Sequence, residues 1–267
     1  MRKASKLLLV LSLLAFAAFI SCSNGTDSNK TEGDPEDPNF QMAQGLVESY
    51  VDSTFNAARY GTSYLTFDGS GPLNAVEDTI NIVFDDMTCW WEVYVAYSDT
   101  NGLSYTFTDS VKFQDASGCQ QFPDTATTTE IEFRAHADGG LIADSVTMNA
   151  VLMHNMLITG IQADYVVINT SGSEDLNMTY GQVLYNADYD GTVNDLTFLR
   201  DDLVEGVQAY PLSGTMFLTL SVSTVWPNGS SNINWTANVT FYEDHYHVHL
   251  VSGDNYWEWD VYYQQPL

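Results

Sequence analysis

Positive charge is scarce in this chain of 267 residues. Lys and Arg together number 8, whereas Asp and Glu number 35, and the formal net charge is −27. Such a surface repels phosphate backbones and anionic lipid headgroups, so we expect no nucleic-acid partner. The acidic balance is typical of a solvated surface, and it also suits salty surroundings or divalent cations.

Catalytic motifs are missing as well. The sequence contains no G-x-S-x-G nucleophile elbow, no glycine-rich phosphate loop and no H-E-x-x-H zinc helix. Neighbouring acids occur in pairs, but among 35 acids such pairs carry no information. We therefore expect a protein that is not an enzyme and that needs no cofactor.

An apolar run long enough to span a membrane is also absent, but a shorter one stands near the N-terminus. Arg2, Lys3 and Lys6 precede an apolar segment at 7–20, and a spanning helix needs about 20 such residues. A basic start, an apolar centre and a small residue are the parts of a secretory signal. The sequence predicts a signal peptide over residues 1–21.

The end of this run carries a cysteine. Phe19-Ile20-Ser21-Cys22 resembles the bacterial lipobox, in which a small residue precedes a cysteine that is acylated and becomes the new N-terminus. Its first two positions are not the commonest residues, and the alternative is an ordinary signal cleaved after an earlier alanine. The resemblance implies a lipid on Cys22. Ser23, where an Asp would imply retention at the inner membrane, implies anchoring in an outer membrane, facing the periplasm or the surface.

A polar stretch follows the cysteine. Residues 23–39 contain no apolar side chain apart from two prolines, and such composition is typical of a flexible linker. We predict a lipid anchor and tether over 22–39 and a single β-rich domain over 40–267.

Cysteine is rare, and its count is informative. With Cys22 assigned to the lipid, Cys89 and Cys119 remain. Two cysteines in an exported domain indicate one disulfide, because the compartment is oxidising. Two free thiols are the alternative.

One segment has helical periodicity. Between Phe40 and Tyr60 apolar residues recur every three or four positions. Gly45 suggests a start near that position, and Gly61 supplies a C-terminal stop.

From Asp78 onward the periodicity is that of strands. The sequence predicts strands at 79–85, 89–98, 103–113, 128–137, 145–154, 158–170, 175–186, 191–199, 214–226 and 233–242, with two more at the C-terminus. No alternation of strands with helices is present. The predicted class is all-β, a large antiparallel meander forming a curved sheet, an open barrel or a sandwich, with one N-terminal helix over an edge or mouth.

Asn101-Gly102 is a strong hairpin signal. A two-residue loop there pairs Val95 with Thr108 and leads to a turn at 115–118 that brings Cys119 near Cys89.

The C-terminal meander can be placed in register. Two-residue loops at Glu243-Asp244 and Gly253-Asp254 pair Val248 with Val239 on one side and with Trp259 on the other. Both pairings put the same residues on the apolar face. Because a slip of one residue would invert that face, the agreement supports the register.

A histidine triplet occupies the middle strand of this meander. His245, His247 and His249 share one face, and the register sets Asp260 beside His247 and Glu258 beside His249. Two imidazoles and one or two carboxylates can hold Zn²⁺. The alternative is a solvent-facing polar strand whose histidines pair with carboxylates.

A second metal hypothesis rests on oxygen ligands. Asn186, Asp188 and Asp190, followed by Gly191, resemble the first positions of an EF-hand loop and imply weak Ca²⁺ binding. Thr197 stands where that loop has a bidentate Glu. The alternative is a β-turn.

Three segments together carry a wider resemblance. Ser110–Asp124, Ile158–Gly172 and Tyr210–Thr224 are similar to uncharacterised bacterial β-rich lipoproteins of the envelope. This resemblance implies a fold style and a location but no activity. The sequence thus favours a non-enzymatic envelope protein that binds a protein or small-molecule partner or plays a structural part. A carrier of apolar molecules and a metal-dependent hydrolase built on His247 and His249 are the alternatives.

Overall fold

The computed structural model describes residues 31–63, 80–98, 102–124, 126–143, 146–204 and 210–263. The predicted signal peptide and Cys22 lie outside these residues. The helices are α1 (Pro38–Ser63) and α2 (Arg200–Val204). The strands are β1 (Thr31–Glu32), β2 (Ile80–Asp85), β3 (Trp90–Ser98), β4 (Leu103–Asp115), β5 (Gly118–Gln120), β6 (Thr128–Ala143), β7 (Val146–Thr159), β8 (Tyr165–Tyr180), β9 (Val183–Leu199), β10 (Ser213–Trp226), β11 (Gly229–Phe241), β12 (His245–Ser252) and β13 (Asn255–Tyr262).

The strands form one open sheet in the order β1-β13-β12-β11-β10-β9-β8-β7-β6-β4-β3-β2, with β5 paired to β4 outside this path. All pairings are antiparallel except that of β1 with β13. The predicted all-β meander is therefore confirmed, and the sheet is not closed into a barrel. In the described part of the chain, no helix is both long and apolar enough to cross a membrane.

Helix α1 begins earlier than predicted. Pro38 occupies its first turn, and the carboxylate of Asp37 accepts a hydrogen bond from the backbone N–H of Asn39 at 2.9 Å. An Asp cap followed by Pro is a strong signal for the start of a helix. The Asp carboxylate accepts a hydrogen bond from an unpaired backbone N–H, and Pro has no N–H to leave unpaired. Gly45 lies inside the helix on its exposed side, and Gly61 does not end it. The positions of Gly45 and Gly61 therefore predict both ends of α1 wrongly.

Helix α1 packs on a face of the sheet, not over an edge or mouth as predicted. Its buried side chains recur at three- and four-residue spacing and join the core of the sheet: Phe40, Ala43, Val47, Val51, Phe55 and Ala58. Phe40 stacks on Trp257 with ring centroids 5.1 Å apart, and Phe55 contacts Phe241 at 5.7 Å. We name the face packed on α1 the inner face and the opposite one the outer face.

The predicted C-terminal register is confirmed. Val248 pairs with Val239 and with Trp259, and Tyr246 and Leu250 are buried beside it on the inner face. The alternation of apolar and polar residues on β12 is strict, so only one register buries the apolar set.

The predicted register of the β3–β4 hairpin is wrong by one residue. Val95 pairs with Phe107, not with Thr108. The observed register places apolar residues opposite one another, including Tyr97 and Tyr105, whose rings stack at 5.2 Å. Cross-strand packing therefore overrides the Asn-Gly signal.

The Cys89–Cys119 disulfide is present, with the two Cα atoms 5.8 Å apart. Cys119 pairs with Gln114 across the predicted turn at 115–118. Cys89 precedes β3 in a turn closed by a 2.7 Å hydrogen bond from its N–H to the Asp85 carbonyl.

Two predicted strands were divided at the wrong places. Gly160 and Gly181 have φ angles of 75° and 60° and lie in the turns before β8 and β9. The predicted strands at 158–170 and 175–186 run across these turns. Positive φ suits glycine, which lacks a β-carbon, so these two glycines mark the turns that separate the strands.

The end of the predicted tether is part of the fold. Thr31 and Glu32 pair in parallel with β13, and the N–H of Gly33 donates to the Tyr256 carbonyl at 2.8 Å. The indole N–H of Trp257 donates to the Asp34 carbonyl at 3.2 Å. A side chain at Gly33 would collide with the Trp257 ring, which explains a glycine there.

Candidate functional site

The histidine triplet lies on the outer face, and each histidine has a carboxylate partner. The Nδ1 atom of His247 is 2.8 Å from Oδ1 of Asp260, and that of His249 is 2.8 Å from Oε1 of Glu258. The predicted cross-strand neighbours are therefore correct. Within the described ranges, no three His, Cys, Asp or Glu side chains stand close enough to hold a metal ion. The four residues form two separate pairs, and zinc binding stays a prediction without a preassembled site.

The predicted calcium residues lie in a strand, so the EF-hand-like loop is wrong as a loop. Asn186, Asp188 and Asp190 are alternate outer-face residues of β9 and cannot wrap around one ion as a loop does. Asp188 lies opposite Asp175. Partial burial and this neighbouring carboxylate raise the pKa of Asp188.

Two adjoining hollows open on the outer face. The larger, of about 380 Å³, spans β7 to β10, and the smaller, of about 190 Å³, spans β4 to β7. Met153 and Asn155 line both, so the hollows form one shallow groove across six strands, which we name the outer groove. At about 4.8 Å per strand, its length is about 24 Å.

Two successive cross-strand rows make the walls of the outer groove. One row consists of Ser110, Arg134, Asn155, Ser171, Thr192 and Phe217. The other consists of Thr108, His136, Met153, Ser173, Asp190 and Thr219. Most of these side chains end in a hydroxyl or amide, which both donates and accepts hydrogen bonds.

Apolar side chains in the outer groove are exposed. Phe217 is 42% exposed and Met153 is 48% exposed, although β10 and β7 are each paired on both sides. Arg134, the one Lys or Arg among the described residues that line the hollows, already has partners. Its guanidinium is 2.7 Å from Glu132 and lies over the Trp90 ring at 4.3 Å.

The inner face holds a group of polar residues that the sequence did not indicate. We name Tyr50, Asp109, His154, Glu174 and Tyr189 the inner polar cluster. The Tyr189 hydroxyl donates to Oε2 of Glu174 at 2.6 Å, and the Tyr50 ring meets the Tyr189 ring edge-on at 6.4 Å. The hydroxyl of Tyr50 and Nε2 of His154 are buried, and neither has a hydrogen-bond partner among the residues that the structure describes.

Burial sets the ionisation of this cluster. It raises the pKa of Asp109 to about 6 and also raises the pKa of Glu174. It lowers the pKa of His154 and, with the charges of Asp190 and Glu174, raises the pKa of Tyr50 to about 12. Each shift favours the neutral form, as expected for groups removed from water.

Two glycines join the inner polar cluster to the outer groove. Gly172 and Gly191 are paired across β8 and β9, and both line the larger hollow. A β-carbon on Gly172 would stand 2.9 Å from Nδ1 of His154 and 3.4 Å from the Tyr50 hydroxyl. A β-carbon on Gly191 would collide with that hydroxyl. Tyr50 therefore occupies the space that two absent side chains leave.

Only cross-strand registers reveal this cluster. Asp109, His154 and the two glycines lie in one row through Ala135. Along its own strand each looks like an ordinary polar or small residue. The small residues at 135, 172 and 191 were the available signal, because glycine in a central strand often marks a close approach.

Comparison with known protein families, with curated proteins and with solved structures finds no match for this chain.

Proposed function

We propose that this chain is a lipid-anchored protein of the bacterial envelope, without enzymatic activity, and that the outer groove is its binding surface. The proposal of an anchor rests on the residues before and at Cys22. The proposal of a binding surface rests on one observation: the outer groove exposes Phe217 and Met153 among the hydroxyl and amide groups of its two rows. Exposed apolar atoms beside orienting polar groups in a concave surface are the usual composition of a binding site.

The alternatives receive less support. A carrier of apolar molecules needs a large apolar cavity, whereas in the described part of the chain the side chains of α1 pack into the core on the inner face. A hydrolase needs ligands that converge on one metal ion, whereas His247 and His249 each face their own carboxylate.

The anchor is tested by mass spectrometry of the chain purified from membranes. We expect an N-terminal peptide that begins at Cys22 and carries acyl chains, and a Cys22→Ser variant that is found outside the membrane fraction. An unacylated N-terminus at another residue contradicts the anchor.

The binding surface is tested by sedimentation of the full chain with each of three insoluble polymers: an uncharged glucan, a polylysine resin and a polyglutamate resin. Thr192→Lys puts a long side chain into the outer groove, whereas Val225→Lys changes an exposed outer-face residue of β10 away from it. We expect the wild type and Val225→Lys to sediment with at least one of these polymers, and Thr192→Lys to remain in solution with that polymer. Equal behaviour of all three proteins with every polymer contradicts the proposed surface.

A further inference from the structure

We propose that the outer groove binds a neutral, hydroxyl-rich polymer, a glycan chain, laid across the strands from β4 to β10. This inference rests on the proposed binding role of the same groove and adds the chemical class of the ligand. The chemistry of the walls, the charge and the length of the groove each support it.

The walls match hydroxyl groups. Asn155, Ser171, Thr192 and Thr219 present groups that donate and accept hydrogen bonds, as sugar hydroxyls do. Phe217 offers an exposed aromatic ring to the apolar face of a sugar ring at one end of the groove. Strands paired on both sides hold these side chains, so binding does not require a loop to become ordered.

Charge argues against an anionic polymer. The chain carries a net charge of −27, and the groove includes the exposed carboxylate of Asp190. The Arg134 guanidinium, which could otherwise attract an anion, is paired with Glu132. A neutral ligand avoids the repulsion that a polyanion meets on approach to this surface.

The length favours a chain over a single sugar. The outer groove is about 24 Å long at the spacing of six paired strands, and its two hollows are continuous through Met153 and Asn155. A ligand of several linked rings can fill both hollows, whereas one ring fills only part of one.

The test is calorimetric titration of the full chain, in detergent, with neutral hexasaccharides built from glucose, mannose, xylose or N-acetylglucosamine. We expect at least one hexasaccharide to bind, at least tenfold more tightly than its disaccharide. Phe217→Ala is expected to weaken that binding at least tenfold. Val225→Ala, which shortens an exposed apolar side chain on the same strand away from the groove, is expected to leave Kd unchanged.

Polylysine and polyglutamate are titrated in parallel. They distinguish failure of the proposed ligand, a glycan, from failure of the proposed binding surface, the outer groove. If no hexasaccharide binds but Phe217→Ala weakens the binding of polylysine or polyglutamate, the glycan is overturned and the binding surface stands. If no probe responds to Phe217→Ala while the variant keeps its thermal stability, both proposals are overturned. Equal loss with Val225→Ala also overturns the assignment to the groove.

Discussion

The buried carboxyl of Asp109 makes stability depend on pH in a direction that is unusual for an acid. Asp109 lies on the inner face of β4, opposite Val93 and Ala135. Burial raises its pKa from 3.8 to about 6. The folded state therefore binds the proton more tightly than the unfolded state, and the contribution of this group to stability is greatest below pH 3.8 and falls as the pH rises to about 6.

The magnitude follows from the shift in pKa. Raising a pKa from 3.8 to about 6 corresponds to roughly 3 kcal/mol of unfolding free energy, lost in full above pH 6. Asp109→Asn keeps the shape and removes the charge. The amide of Asn does not titrate, so its desolvation and packing change the free energy of unfolding by the same amount at every pH. This constant amount cancels when two pH values are compared.

The assay is urea unfolding of the wild type and Asp109→Asn at pH 4 and pH 7.5. We compare the free energy of unfolding of the variant with that of the wild type at each pH. This difference should be more favourable to the variant at pH 7.5 than at pH 4 by about 2–3 kcal/mol. All other titrating groups are common to both proteins and cancel in the difference. Asp138→Asn, at an exposed acid on β6, is the matched control, because a charge in water gains little from neutralisation. A difference that is the same at both pH values would refute the reasoning.

Three further substitutions test the packing. Gly45→Ala adds a β-carbon that meets nothing within 4 Å on the exposed side of α1. Thermal unfolding should show about 1 kcal/mol of stabilisation, because Ala favours the helix over Gly. Destabilisation would contradict a helical conformation at this position. Tyr50→Phe removes a buried hydroxyl that has no partner among the described residues and should raise the free energy of unfolding in urea by about 1–3 kcal/mol. A decrease would indicate a hydrogen bond to this hydroxyl. Cys89→Ser with Cys119→Ser opens a link between residues 30 apart and should cost about 3–4 kcal/mol; unchanged stability under oxidising conditions would refute it.

The parts of the fold that were predictable are those where two constraints agree. On β12 the alternation of Tyr246, Val248 and Leu250 fixes the register against both neighbours at once. On β3 the Asn-Gly signal and the apolar pattern conflict, and the pattern prevails because Val95 must face Phe107. Local turn chemistry is worth less than the packing of a whole strand pair.

The candidate site was predictable only in part. The pairs formed by His247 and His249 followed from a correct register. The outer groove and the inner polar cluster depend on the registers of β4 and β6 to β10 together, and the sequence predicts no register between any of these strands. A polar side chain such as His154 or Glu174 gives no sign of its burial until the neighbouring strands and α1 are in place. The sequence therefore indicated the faces of single strands but not the neighbours across them.

The two sides of the sheet are coupled at Gly191, and this coupling can be tested. A β-carbon there would stand 2.7 Å from Cδ2 of Leu218 and collide with the Tyr50 hydroxyl, so Gly191→Ala forces α1 or the sheet to shift. We expect a loss of about 1–3 kcal/mol in urea unfolding and, because Gly191 lines the larger hollow, weaker binding of the hexasaccharide. Tyr50→Phe removes only a hydroxyl from the inner side, so it should change stability without changing Kd. If Gly191→Ala loses stability while Kd is unchanged, the backbone of β9 does not transmit the packing of Tyr50 to the outer groove.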